Sequence, residues 1–140
     1  MREVKRSALV SQPPAKLFAL INDIESYPQV LPWCTHTRVQ SRSAREIVAT
    51  LGVRQGALTG EFTTRNTLDT DRSIRMDLVS GPFRTLQGQW LLTPVDVAGC
   101  RVDLSMRFAF KSALTGLLFE PLFADTIGSL VDAFVARARS

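Results

Sequence analysis

A change of hydrophobic period near residue 110 constrains this chain more than any other feature. Between Cys34 and Phe110 apolar residues recur at every second position, as in Ile47, Ala49, Leu51 and Val53, in Ile74, Met76 and Leu78, in Leu86, Trp90 and Leu92, and in Val102, Leu104, Met106, Phe108 and Phe110. A period of two sets one face of a strand against a core and leaves the other to solvent. Behind Phe110 the spacing becomes three and four, through Leu114, Leu117, Leu118, Leu122, Ile127, Leu130, Val131, Phe134 and Val135, one broad helical stripe running to Ser140. Half-apolar strands must have their apolar face covered, and this terminal helix is the available cover.

The links between strand patterns carry turn chemistry: Gln55-Gly56, Asp69-Thr70-Asp71, Ser80-Gly81-Pro82 and Asp96-Val97-Ala98-Gly99. Such short links join antiparallel neighbours. Ahead of them, residues 3–10 alternate as a first strand, with Val4, Arg6, Ala8 and Val10 on one side. Pro13-Pro14 ends that strand and opens a helix carrying Leu17, Phe18, Ile21 and Ile24 at helical spacing. Tyr27-Pro28 predicts a second short helix or turn, and Pro121 predicts a kink in the terminal helix. The order is strand, two short helices, a meander of about six strands and one long helix. That is an α+β architecture, and 140 residues make a single domain spanning 1–140. If the sheet curls strongly, one helix cannot fill its concave face, and a pocket is left between them.

The parity of the strands assigns faces. Phe62, Met76, Trp90, Met106 and Phe108 point inward, Leu118 faces them from the helix, and Thr64 and Asn66 share the parity of Phe62. Some of these are core packing. The others are candidates to line a ligand cavity, the methionines and aromatics offering an adaptable apolar wall and Thr64 and Asn66 a hydrogen bond to a head group. Arg65, Arg75, Arg101 and Arg107 fall on the opposite face, where guanidiniums are suited to phosphate. Glu61, Asp77 and Asp103 share that face, and a solvated mixed-charge surface accounts for the same pattern. No base-stacking aromatic accompanies these arginines, so sequence-specific reading of single-stranded RNA is not expected.

The formal charge of +4 makes attraction to nucleic acid or anionic lipid available without naming a partner. Cys34 and Cys100 stand too far apart in sequence for a redox or zinc motif. His36 has no nucleophile or carboxylate at a spacing that guarantees it a partner, and no glycine-rich phosphate loop or metal-ligand cluster is present. No catalytic residue, metal or required cofactor is therefore assigned. The N-terminus lacks the pattern of a secretory signal and no unbroken apolar run reaches membrane-spanning length, so a cytoplasmic location is expected.

Four segments in order carry a family likeness: residues 27–34 (Tyr-Pro-Gln-Val-Leu-Pro-Trp-Cys), 62–66 (Phe-Thr-Thr-Arg-Asn), 81–83 followed by 86–90 (Gly-Pro-Phe, Leu-Gln-Gly-Gln-Trp), and Asp132-Ala133-Phe134. The chain resembles the coenzyme Q-binding START-like proteins of the polyketide cyclase and dehydrase superfamily, a group that also holds ribosome association toxins. The likeness spans essentially the whole chain and implies a helix-grip fold. It further implies a lipophilic ligand of quinone or isoprenoid type, such as ubiquinone, bound without a chemical step. It places Tyr27, Trp33 and Phe83 around the mouth of the cavity. An alternative implication is association with the ribosome, at the large subunit, interfering with subunit joining. A weaker one is cyclase or dehydrase activity on a polyketide.

Overall fold

The computed structural model describes residues 1–139, so the last residue of the expected helix, Ser140, lies outside them. Seven strands form one antiparallel sheet: β1 (Arg2–Val10), β2 (Cys34–Arg42), β3 (Glu46–Gln55), β4 (Leu58–Asp69), β5 (Ser73–Ser80), β6 (Phe83–Val95) and β7 (Gly99–Phe110). Their spatial order is β1-β7-β6-β5-β4-β3-β2, so β2 to β7 are the expected meander and β1 adds to its last strand. Between β1 and β2 the chain crosses from one edge of the sheet to the other through α1 (Pro14–Asn22), a 3-10 turn (Ile24–Ser26) and α2 (Tyr27–Val30). Two further helices, α3 (Ala113–Gly128) and α4 (Leu130–Arg139), close the chain.

Alternation builds the concave face directly. Along β7 every residue from Cys100 to Phe110 at even positions is buried, and Val4 and Val10 continue that layer on β1 in register with Met106 and Cys100. Against it α3 and α4 set Phe123, Ile127, Leu130, Val131 and Phe134. Three turns depend on left-handed backbone, at Gly56 (φ 59°), Asp71 (φ 62°) and Asp96 (φ 56°), the last two a residue type that tolerates it.

The long helix is interrupted at Ser129 and not at Pro121, which lies inside α3. Near the break Thr126 Oγ1 donates to the Leu122 carbonyl at 3.0 Å and Ser129 Oγ to the Thr126 carbonyl at 2.7 Å, side-chain bonds of the kind that bend helices. Pro121 follows the turn bearing exposed Leu117 and Leu118, where solvent can take up its lost bond. Taken together Ala113–Arg139 spans 27 residues with an 18-residue window of mean hydropathy 1.3, long and apolar enough by length and composition to cross a membrane. Glu120 and Asp125 punctuate the stretch, so it holds no unbroken apolar run of that length. In the fold its buried side chains are the cover of the concave face.

Candidate functional site

Between the concave face, the two terminal helices and the 3-10/α2 segment lies a cavity of about 50 Å³. Six of the eight expected wall residues meet there: Phe62, Thr64 and Asn66 from β4, Met76 from β5, Trp90 from β6 and Met106 from β7. They converge because the sheet aligns them across neighbouring strands, Asn66 opposite Met76, and Gly88, one residue pair from Trp90, opposite both Met76 and Met106. Gly88 gives the two methionines their position. A side chain there would start 2.6 Å from Met106 Sδ and 2.8 Å from Met76 Cε, so the thioethers occupy the space its Cβ would need.

Two expected wall residues are placed differently. Leu118 is 57% exposed, on a face of α3 shared with the exposed Leu114 and Leu117. Phe108 is wholly buried inside an aromatic cluster, its ring centroid 4.8 Å from that of Phe123, and is not a cavity wall. The expected rim also changes. Phe83 opens β6, is buried, and stacks on Phe110 at 4.8 Å in the same cluster. Tyr27 and Trp33 are themselves cavity walls, 8% and 4% exposed. Ala49, Leu51 and Leu86 of the sheet and Ile24, Phe123, Ile127, Leu130 and Phe134 of the helices complete the wall, the helical contacts depending on how the helices dock and not on strand parity.

The polar groups of the wall differ in how they are satisfied. The Tyr27 hydroxyl donates to the Ile21 carbonyl, and burial, followed by the charges of Cys34 and Asp23, raises its pKa far above the usual phenol value. Thr64 Oγ1 donates to Asn66 Oδ1 at 2.9 Å. The Asn66 amide nitrogen has no partner among the described residues. Trp33 Nε1 is sealed from solvent and likewise unpartnered. No side chain of the wall is a carboxylate, imidazole, ammonium or guanidinium. Beside Trp33, the buried Cys34 thiol is pushed up to about 11 by desolvation, against a smaller opposing effect of the His36 backbone.

His36 lies on the convex face. Its Nε2 is hydrogen-bonded to Glu61 Oε2, its Nδ1 lies 2.9 Å from Thr35 Oγ1, and its ring covers Gly52, whose Cβ would fall 2.3 Å from it. That bond, then the Arg38 charge, holds the Glu61 carboxyl below the usual range. The four arginines are on the convex face as well. Arg75 pairs with Asp77 at 3.5 Å, Arg101 with Asp103 at 3.1 Å and Arg65 with Glu46 at 3.5 Å, while Arg107 reaches Gln87 at 3.5 Å. Arg75 and Arg107 flank an open groove of about 560 Å³ that also takes in Lys5, Gln87, Gln89 and Ser105, together with the acidic Glu3 and Asp77. An adjoining groove of about 410 Å³ holds Arg6 and Arg101.

Residues 10–135 match the model of the family described as polyketide cyclase / dehydrase and lipid transport. The chain belongs to this family. Within reach of that membership is a relative named Ribosome association toxin RatA from Vibrio cholerae, 41% identical over 99% of this chain and 96% of that protein. Solved structures show the family's START-type fold: an aromatase/cyclase from a Streptomyces species has a TM-score of 0.87 at 17% identity, covering 99% of this chain and 93% of its own. A STAR-related lipid transfer protein from Xanthomonas axonopodis has a TM-score of 0.85 at 15% identity, covering 100% of this chain and 87% of its own. At those identities the likeness is one of fold alone.

Proposed function

We propose that this START-like domain binds a neutral lipophilic molecule of quinone or isoprenoid type, ubiquinone-like in character, between its concave sheet and terminal helices, without a chemical step of its own. The observation that carries this reading is a cavity whose wall is mostly apolar and uncharged yet includes a buried indole N–H with no hydrogen-bond partner. Apolar lining with a few placed polar groups is the usual make-up of a small-molecule site. The wall has no side chain ionisable near neutral pH, which favours binding over acid–base chemistry of cyclase or dehydrase type. At about 50 Å³ the closed cavity is far smaller than a prenylated ring. Entry therefore requires the wall to move, and Met76 and Met106, unbranched and adaptable, are suited to make room. Organic extraction of protein purified from cells, followed by mass spectrometry, tests the proposal. A stoichiometric neutral lipid is expected; protein that carries none and takes up none when offered quinones contradicts it.

A second reading is favoured by the relative's name together with the convex face: association with the ribosome, at the large subunit, through the groove of Lys5, Arg75 and Arg107. The two readings use opposite faces of one sheet, with Met76 and Met106 of the cavity wall also bordering the convex groove. Phosphate contacts release counterions, so co-sedimentation with a ribosomal subunit should weaken steeply as salt rises and should fall on Arg75→Glu with Arg107→Glu. Free protein at low salt sinks this second reading.

A further inference from the structure

The unspent hydrogen bonds of the cavity are all of one kind on its least ambiguous members. An indole has a nitrogen donor and no acceptor, and Trp33 Nε1 finds no acceptor among the described residues although Trp33 is 4% exposed. The Asn66 amide nitrogen is the second free donor, because Asn66 Oδ1 is already taken by the Thr64 hydroxyl at 2.9 Å. Tyr27 has spent its own proton on the Ile21 carbonyl. At Trp33 Nε1 the buried donor without a partner is a standing cost of the folded state, and a ligand oxygen that accepts from it removes that cost. The wall offers no positive charge, so a carboxylate would enter uncompensated.

We infer that Trp33 and Asn66 form a donor subsite that selects the carbonyl oxygen of a neutral ketone- or quinone-type ligand over a hydrocarbon or a fatty acid anion. This rests on the proposed binding of a lipophilic molecule and adds to it the chemistry of the end that is recognised. Specificity of this kind arises from a polar group left unpaired by the wrong ligand.

The test compares three nine-carbon probes, methyl heptyl ketone, nonane and nonanoate, on wild-type protein, Trp33→Phe and Asn66→Leu. Binding is followed by the emission of Trp90, which lines the same cavity and survives in both variants. Losing one hydrogen bond should weaken the ketone about five- to tenfold relative to nonane. Nonanoate should bind wild type more weakly than the ketone. Ketone affinity unchanged in both variants, or ketone and nonane weakened alike, overturns the donor subsite while the binding proposal stands. If no probe binds wild type, the binding proposal itself falls, and the subsite with it. Should a variant fail to fold, proton–nitrogen NMR of the wild type decides the matter: the Trp33 indole resonance should move downfield with the ketone and not with nonane, and equal movement with both contradicts the inference.

Discussion

Trp90 on β6 meets Phe134 on α4 edge to face, their ring centroids 5.7 Å apart and their planes at 79°. This contact joins the centre of the concave sheet to the terminal helix and forms one side of the cavity. Trp90 is 2% exposed, so its truncation leaves a void that a continuous sheet cannot collapse to fill. Trp90→Ala should cost about 3–5 kcal/mol, read from the denaturant midpoint, and should increase uptake of bulky apolar probes. Wild-type stability would show that this strand faces the other way.

At Gly88 the expected effect is on volume. The atoms nearest to an added Cβ are the ends of Met106 and Met76, which can swing aside, so Gly88→Ala should lose no more than about 1–3 kcal/mol. The displaced thioethers have the cavity to move into, and quinone affinity should fall. A variant that binds as well as wild type would mean that the methionines do not define the site.

Much of the fold is legible in the sequence because strand parity is strict: Thr64 and Asn66 on the concave side, and Arg75 with Asp77 and Arg101 with Asp103 as neighbours two residues apart on the convex side, all follow from counting by twos. Strand parity does not say which face of a helix meets the sheet, which is why Leu118 reads as interior and is exposed. Nor does it reveal contacts set by irregular register. His36 reaches Glu61 across β3 through a shift in the β2 pairing between Cys34 and Thr37. The burial of Trp33 did leave a signal, in that Leu31 and Trp33 alternate into β2. The orphaned indole N–H, by contrast, is a property of the packed interior alone.

The cysteines supply a pH prediction. The folded Cys34 thiol holds its proton up to about 11, and Cys100 is also raised, chiefly by burial. In the unfolded chain both thiols ionise near the ordinary value. Their contribution to stability is therefore complete below that value and is lost as the pH rises through the window up to about 11. Denaturant midpoints should decline across that range, and iodoacetamide should modify native protein slowly at about pH 8 but unfolded protein quickly. Native reactivity equal to that of a free thiol would contradict the burial of Cys34.

Both tryptophans of the chain, Trp33 and Trp90, line the one cavity, so intrinsic emission reports on that site alone. Titrating the protein with a short-chain quinone while following emission and the unfolding temperature tests binding in the cavity most directly. Occupancy there predicts saturable quenching at one equivalent together with a concentration-dependent rise in unfolding temperature, since a ligand held only by the native state stabilises it. Quenching that grows linearly without saturation, at an unchanged unfolding temperature, would show that the quinone never enters.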